Sequence, residues 1–264
     1  MGRHYYGSRG GLDMTDKILL YEELSLNALP ALQTQFYDGW VLRYTSGYGY
    51  TSRANSVNSL YPSTIDISTK VVECEKRYSG QGLPTIFKIT DGTDSEFDQF
   101  LDKQGYIVAN PTYMMAADIA ANYTEFNECI MKDCIEEEWM HDYFTLSKYV
   151  EPQKISIAKQ VFANIKVAVF CCRIIKGGST IACGLCVVER GYAGLFNIVV
   201  DEAHRGNGYG QKVCEALISA AKTYGAQTSY LQVVQDNFVA VNLYKKLGYN
   251  TMYSYWYRVK KGND

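Results

Sequence analysis

The stretch LFNIVVDEAHRGNGYGQ, Leu195–Gln211, joins an apolar run to a loop with three glycines and then to the start of a helix. The apolar residues at its beginning are typical of a buried strand. Beyond the loop, apolar side chains recur with helical spacing at Val213, Leu217, Ile218 and Ala221. The segment therefore predicts a strand, a tight glycine turn and a helix N-terminus in direct succession.

This succession is typical of an anion-binding site. The N–H groups of a first helical turn have no acceptor within the helix, and the helix dipole favours negative charge at that end. Gly208 and Gly210 let the main chain approach a phosphate without an intervening Cβ atom, and Arg205 adds a planar cationic group. We therefore expect this loop to bind a pyrophosphate.

The spacing of the loop excludes two common nucleotide-binding motifs. A nucleoside-triphosphate loop needs a Lys-Ser or Lys-Thr pair at the start of its helix, and none occurs here. The order Gly206-x-Gly208-x-Gly210 does not match the dinucleotide pattern, and the region near Gln227–Gln232 has no carboxylate to bind a ribose. The remaining pattern is Arg-x-x-Gly-x-Gly after a strand.

A second motif follows the glycine loop. Ser229–Gln235 is a short β-rich run, Asn237 begins a helix, and Gly248 ends that helix before a predicted aromatic strand from Tyr249 to Arg258. The helix and the residues after it read NLYKKLGY over 242–249.

The two motifs in this order resemble the GCN5-related N-acetyltransferase (GNAT) family, over a segment of about Lys154–Lys260. The resemblance implies an α/β (α+β) fold, a mixed twisted sheet with flanking helices, known as the acyl-CoA N-acyltransferase fold. It also implies an acetyl-CoA-dependent N-acetyltransferase. Such an enzyme moves an acetyl group to a primary amine of a small molecule or peptide by direct attack in a ternary complex.

The resemblance assigns roles to residues around the loop. Tyr244 is the candidate donor of a proton to the departing sulfur, because a phenol stays protonated at neutral pH. Asn237 either hydrogen-bonds the cofactor arm or only caps its helix. The strand before the loop pairs its backbone with the pantetheine arm, and the loop binds the pyrophosphate. The cofactor-binding candidates in these two segments are Ile198, Val199, Val200, Arg205, Gly206, Asn207, Gly208, Tyr209, Gly210 and Gln211.

The sequence leaves three alternatives open. The chain is an acetyltransferase, a non-catalytic acyl-CoA sensor, or a transferase of a different acyl group. A general base is not identified either, because polar side chains in a loop are solvated by default. Asn197 orients a water at most, since an amide cannot take the proton. The other residues considered for this role are Glu189, Asp201, Glu202 and His204.

The N-terminal half carries a weak internal repeat of the C-terminal half. Leu101–Tyr106 and Tyr244–Tyr249 each read as a helix end, a glycine stop and a tyrosine that opens a strand. Tyr61–Thr64 stands where the glycine loop would be, so this half is predicted to lack a CoA site. The predicted elements are strands at Tyr37–Tyr44, Arg53–Leu60, Pro84–Thr90 and Tyr106–Asp118 and helices at Asp66–Gly80 and Ser95–Gln104.

We therefore predict two such domains in tandem. Residues 1–13 are a disordered leader or cloning remnant, 14–122 a degenerate GNAT-like domain that walls the acceptor cleft or is only structural, and 123–264 the catalytic domain. Trp40, Arg43 and Arg53 are candidates to face the acceptor. Before the Leu195 strand, the predicted elements are helices at Glu125–Tyr149 and Pro152–Asn164 and a hairpin of Lys166–Ile175 with Thr180–Glu189.

Composition limits the other function classes. A net charge of −2 over 264 residues disfavours nucleic-acid binding, and no apolar run is long enough to span a membrane. Cys183 and Cys186, three apart in a strand, face opposite sides of a sheet and are poorly placed for one metal, so we predict no metal site. The eight cysteines are expected to be buried thiols in a reducing, cytoplasmic setting.

Overall fold

A computed structural model describes residues 13–45, 51–119 and 128–260 of the chain. Seven helices and eleven strands lie within these ranges. The helices are α1 (Met14–Ala28), α2 (Ile67–Ser79), α3 (Ser95–Lys103), α4 (Glu137–Leu146), α5 (Pro152–Ala163), α6 (Tyr209–Thr223) and α7 (Phe238–Lys246). The strands are β1 (Gln33–Tyr37), β2 (Trp40–Tyr44), β3 (Val57–Ser59), β4 (Ile86–Thr90), β5 (Tyr106–Asp118), β6 (Cys129–Lys132), β7 (Ala168–Lys176), β8 (Ser179–Glu189), β9 (Tyr192–Val200), β10 (Thr228–Val234) and β11 (Asn250–Lys260).

All eleven strands form one mixed sheet in the order β1-β2-β3-β4-β11-β5-β10-β9-β8-β7-β6. The two halves of the chain exchange a strand at its centre. Strand β5 of the N-terminal half pairs antiparallel with β10, and β11 of the C-terminal half pairs antiparallel with β4 and β5. The halves therefore share one continuous sheet. The division at 122/123 falls in a segment outside the described residues, so the predicted domain limits stay a prediction, as does the leader over residues 1–13.

The helices cover both faces of the sheet, as alternation along the strands requires. On β10, Tyr230 packs into a cluster with α1, α4 and α5, whereas Leu231 and Val233 pack into a second cluster with α6 and α7. A third cluster packs α2 and α3 against the N-terminal strands, on the face of those strands opposite to α1. Many of the abundant tyrosines lie in these clusters, which agrees with their strand-like sequence context.

Six of the eight cysteines are buried and pack as small apolar side chains, but the prediction of burial is wrong for Cys134, which is exposed, and Cys129 is half-buried. All eight are free thiols, and Cys183 and Cys186 are fully buried in the two clusters on opposite faces of β8. Burial raises the pKa of the Cys183 thiol to about 12, which keeps it protonated at neutral pH. Among the described residues, no helix is long and apolar enough to cross a bilayer.

The halves repeat the same local order of elements. Each contains a parallel strand pair, β3–β4 or β9–β10, and a helix that ends at a glycine before a long strand. These glycines, Gly105 and Gly248, have φ of +81° and +88°, which a residue without Cβ adopts at little cost. Leu101 is fully buried at the place in α3 that corresponds to Tyr244 in α7.

Several predicted elements were wrong or missed. The predicted strand Arg53–Leu60 is a 3-10 turn at Ser52–Ala54 followed by the short strand β3. The predicted helix Glu125–Tyr149 is a helix only in its second half, because Cys129–Lys132 forms an edge strand on β7. The predicted strand Tyr37–Tyr44 is the end of β1, a turn at Asp38 and Gly39, and β2. Helix α1 was not predicted. A four-residue edge strand carries too little periodicity to be recognised locally, and its partner strand lies about 40 residues further along the chain.

Gly184 of β8 lets helix α6 lie close to the sheet beside the glycine loop. A Cβ atom at this position would stand 2.6 Å from both the Ile198 Cδ1 and the Val213 Cγ1 atoms. We therefore expect Gly184→Ala to lower the free energy of unfolding by about 1–3 kcal/mol through overpacking. Denaturant unfolding would measure the loss. Adding Ile198→Val, which removes one of the two crowding atoms, should make the double variant less unstable than the sum of the single changes. A neutral Gly184→Ala variant would contradict this packing.

Candidate active site

Strands β9 and β10 separate part-way along their length. Their parallel ladder joins Tyr192–Leu195 to Thr228–Leu231, and β9 then continues to Val200 while β10 continues to Val234. A bulge in β9 coincides with the separation, since two residues of β9 oppose Gly184 of β8 and Asn197 has φ of +53°. Bulges bend a strand and re-aim its backbone. The result is a wedge-shaped gap between two strand edges.

The predicted cofactor strand lies along this gap. Val199 and Val200 pair with Cys183 and Ala182 of β8 on one edge, so their other edge faces the place that β10 has left. All three residues, Ile198 to Val200, are half-buried. An extended amide-containing arm can pair with such an edge as an added strand would.

The glycine loop continues from β9 into α6. Asp201 begins a short 3-10 turn, and Gly206 and Gly208 have φ of +76° and +79°. Gly208 is the N-cap of α6 and offers no side chain to the exposed amides. The first helical hydrogen bond runs from the Lys212 N–H to the Gly208 carbonyl at 3.1 Å, so the N–H groups of 209–211 precede it. A Cβ atom at Gly206 or Gly208 would enter open space, which leaves room for a phosphate.

The polar side chains of the loop hold its backbone or reach solvent. The Asn207 amide donates to the carbonyls of His204 and Arg205 at 3.2 and 3.1 Å. The Arg205 Nε donates to the Val200 carbonyl at 3.3 Å, its Nη1 lies 3.8 Å from the Glu202 carboxylate, and its side chain is 60% exposed. The guanidinium therefore remains accessible to an anion at the helix N-terminus.

Three further predicted residues border the loop. Gly210 lies where an added Cβ would be 3.4 Å from the Leu243 Cδ2 atom, so α6 and α7 approach closely there. The Tyr209 hydroxyl lies 3.5 Å from the Lys176 ammonium, and the Gln211 amide donates to Glu215 at 2.9 Å. The loop residues predicted as cofactor-binding are thus contiguous in space.

Tyr244 projects from α7 into the cluster that contains α6. It is only 9% exposed and packs with Val213 and Cys214. Burial raises the pKa of its hydroxyl well above the usual value near 10, so the phenol is protonated throughout the neutral range. The Asn237 side chain caps α7 by accepting the Ala240 N–H at 3.2 Å, which is the structural role that the sequence allowed.

Comparison with known proteins agrees with this architecture. The sequence model of the family described as "Probable histone acetyltransferase Rv0428c C-terminal" matches residues 15–258. The "Uncharacterized N-acetyltransferase YobR" of Bacillus subtilis is 29% identical over 251 residues, which are 93% of this chain and 100% of that protein. The chain therefore belongs to this family of acetyltransferases. Most of its length is covered by the matches, including the half without a glycine loop.

Solved structures are similar to this chain over nearly its whole length, so the similarity includes the whole sheet. A GCN5-related N-acetyltransferase from Kribbella flavida superposes with a TM-score of 0.68 at 12% identity, over 93% of this chain and 96% of that one. A tandem GNAT protein from the clavulanic acid biosynthesis pathway superposes with a TM-score of 0.62 at 11% identity, over 96% and 98%. The chain therefore has the tandem GNAT fold. The predicted family, fold and tandem arrangement are confirmed.

Among the described residues of this chain, a glycine loop between a strand and a helix occurs only in the C-terminal half. Between β3 and α2, where the repeat would need that loop, Thr64 and Ile65 donate their N–H groups to the Asp38 carboxylate. These hydrogen bonds hold the pKa of Asp38 far below its usual range. Thr64 and Ile65 stand just before the N-cap Asp66, and the Thr69 N–H of the first turn of α2 donates to Asp66, so carboxylates of the protein itself occupy this turn. GNAT-fold acetyltransferases use acyl-CoA donors, and the N–H groups at the start of α6 have no side-chain cap.

The three carboxylates considered as general base are each paired with another side chain. Glu189 lies opposite Tyr192, at the end of β9 away from the loop, and accepts from the Asn27 amide at 3.1 Å. Asp201 pairs with His204 at 3.0 Å and Glu202 with Lys148 at 2.7 Å. These contacts lower the pKa of both carboxyls, which makes them weaker bases.

A cavity of about 640 Å³ adjoins the gap on the sheet face away from α6 and α7. Gln232 and Val234, on the part of β10 that β9 has left, form one wall of it. Arg53 also lines it, whereas Trp40 is buried against Phe97 with ring centroids 4.9 Å apart. Sequence reasoning missed Gln232, because a polar residue in a strand has no distinguishing pattern.

Proposed function

We propose that the protein is an acetyl-CoA-dependent N-acetyltransferase that acts on a primary amine of a small molecule or peptide. The observation that carries the proposal is the uncapped N-terminus of α6, preceded by two glycines at positive φ and bordered by an accessible Arg205. This combination supplies several N–H donors and one cation to an anion of pyrophosphate size. In the N-terminal half, the Asp38 carboxylate occupies the turn that corresponds to the glycine loop. This difference between the halves supports one acyl-CoA site per chain.

The donor arm would then run along the gap between β9 and β10. Ile198, Val199 and Val200 supply main-chain groups along one edge of the gap, in line with the loop that follows them. An N–H group in this strip can also polarise a thioester carbonyl, an effect of a few kcal/mol when the N–H points at the developing charge.

Tyr244 is the candidate acid of the reaction. The amine nitrogen attacks the thioester carbonyl carbon, the new C–N bond forms and the C–S bond breaks. The Tyr244 hydroxyl gives its proton to the departing sulfur, and the attacking nitrogen loses a proton to water. A buried phenol suits this role because its raised pKa keeps the proton in place until a thiolate appears beside it.

Asn197 is the candidate to orient the water that takes the amine proton. Its side chain lies at the bulge of β9 and lines a small cavity of about 50 Å³ together with Tyr143 and Tyr149. We also propose a cytoplasmic location, which the eight free thiols favour over an oxidising compartment.

Steady-state and single-turnover kinetics test the proposal together. We expect double-reciprocal lines for acetyl-CoA and an amine to intersect, because direct attack needs both substrates bound at once. We also expect no labelled acetyl group to stay on the protein after gel filtration. Binding of acetyl-CoA without transfer to any amine of a broad panel would instead support the sensor alternative. Faster transfer from another acyl-CoA would indicate a different acyl group.

A further inference from the structure

We propose that the 640 Å³ cavity receives the acceptor, and that Arg53 of the N-terminal half selects an amine that also carries a carboxylate. This inference rests on the proposed acetyltransferase function. It assigns the half without a glycine loop a direct part in acceptor recognition.

The position of Arg53 connects the cavity to the gap between β9 and β10. Arg53 and Thr51 line the large cavity and also the small cavity at Asn197. Gln232 and Val234 belong to the large cavity and to the strand edge that borders the gap. An amine substrate in the large cavity would therefore have the gap beside β9, where the acyl-CoA arm is proposed to run, at one end and Arg53 beside it.

The charge of the cavity is positive. Its lining contains no Asp or Glu among the described residues, and Arg53 is the one charged side chain in it. No carboxylate of the described residues lies within ion-pair distance of Arg53; the nearby Glu22 is paired with Lys88 at 2.6 Å. Behind Arg53, the buried Arg43 guanidinium donates to the main-chain carbonyls of Leu26, Leu29 and Arg53. Its pKa is lowered by burial to about 10, so it too is charged at neutral pH.

Neutral hydrogen-bonding groups complete the lining. The Gln232 carbonyl oxygen accepts from the Tyr255 hydroxyl at 3.1 Å, so the amide nitrogen is the end of Gln232 that can donate to an acceptor. The Tyr257 side chain is only 3% exposed; its hydroxyl makes no well-aligned hydrogen bond among the described residues and interacts with the neighbouring Tyr255 hydroxyl. Buried polar groups are nearly always paired, so a water or a bound molecule can complete the hydrogen bonding of this hydroxyl.

These groups suit a carboxylate and disfavour a polycation. An Arg side chain binds a carboxylate with charge-assisted, often bidentate hydrogen bonds, and amide and hydroxyl donors add to them. An ammonium group other than the reacting amine would meet Arg53 and find no acidic partner in the lining. Polyamines and lysine-rich tails are therefore expected to be poor acceptors.

A panel of matched amines tests the inference. L-amino acids and dipeptides would be compared with their own C-terminal carboxamides, and with spermidine and a lysine-rich peptide. Two readouts are used: kcat/KM with acetyl-CoA, and calorimetric binding to the CoA-loaded protein. We expect the carboxylate form of the accepted amines to be preferred about tenfold. Equal or better use of carboxamides or polycations, with acetyl-CoA still bound, would overturn the inference but not the proposed function. Failure to bind acetyl-CoA would instead remove the proposed function.

Variants of Arg53 and Tyr257 test whether these two side chains produce the preference for a carboxylate-bearing amine. We expect Arg53→Gln to raise KM for a carboxylate acceptor about tenfold and to leave its carboxamide unaffected, with Arg53→Lys intermediate. Lys103→Gln makes the same charge change at an exposed site in α3 and should change neither value.

Tyr257→Phe should raise the same KM and change Tm little, because the hydroxyl makes no well-aligned hydrogen bond among the described residues. Tyr253→Phe removes a hydroxyl that donates to Glu22 at 2.8 Å, so it should lower Tm and leave KM unchanged. Unchanged KM in both Arg53→Gln and Tyr257→Phe would overturn the assignment of the cavity.

Discussion

Replacing Gly208 by glutamate is expected to reduce the affinity for acetyl-CoA at least about 100-fold, equivalent to about 2.7 kcal/mol of binding free energy. Gly208 is the N-cap of α6 and has open space where its side chain would begin. A glutamate there would bring a carboxylate to the exposed N–H groups and compete with a pyrophosphate for them. It would also repel that anion. Isothermal titration calorimetry measures the change directly.

The glutamate has a second effect that must be separated from the first. Gly208 has φ of +79°, and a residue with a Cβ atom costs about 1–2 kcal/mol in that conformation. Gly105→Glu is the matched control, because Gly105 has φ of +81°, equally open surroundings and a place in the half without the loop. Both variants should lose a similar few degrees of Tm, and only Gly208→Glu should lose acetyl-CoA binding. Equal affinity in the two variants would contradict the assignment of the loop.

The C-terminal elements could be predicted because their signals are local. The apolar run, the glycines and the helical periodicity of 195–221 lie within one stretch, and the structure has β9, the loop and α6 there. Gly248 likewise marked the end of α7 one residue past its C-cap. Two such motifs in order were enough to indicate the family, since each corresponds to a specific backbone geometry.

The arrangement of the halves could not be predicted because it depends on contacts between distant segments. Nothing in Tyr106–Asp118 or Asn250–Lys260 alone says that each would lie among the strands of the other half. Both are long, tyrosine-containing and rich in apolar residues, which suits any central place in a sheet. Strand order is decided by how well both faces of the whole sheet pack. That combined packing cannot be read from a single sequence.

The acceptor side of the site was missed for the same reason. The strand exchange sets β5 and β11 between β4 and β10, which brings Tyr257 and Gln232 to the cavity beside Arg53. Of three cationic or aromatic candidates in the N-terminal strands, Trp40 and Arg43 proved to be buried in packing or bonded to main-chain carbonyls. Local sequence does not separate these uses of an arginine, because burial and partner are properties of the folded sheet.

Replacing Tyr244 by phenylalanine is expected to lower kcat about 100-fold while the Kd for acetyl-CoA stays unchanged. The substitution removes only the hydroxyl from a buried ring, so the packing of α7 on α6 is kept. Without that proton, the sulfur must leave as a thiolate or take its proton from water. Tyr249→Phe is the control, because that ring lies 6.0 Å away in the same cluster and its hydroxyl bonds to Ser229. This control should lose some stability and keep its kcat.

The pH dependence gives a second, independent check on Tyr244. The acid works in its protonated form, which is the form present below its pKa. Because burial raises that pKa above the usual value near 10, ionisation of Tyr244 should not reduce kcat anywhere below about pH 10. An alkaline loss of kcat centred well below pH 10 that disappears in Tyr244→Phe would mean that the hydroxyl is not held by the buried environment. Full activity of Tyr244→Phe would assign the proton to water, and the enzyme would then depend on positioning by the loop and strand alone.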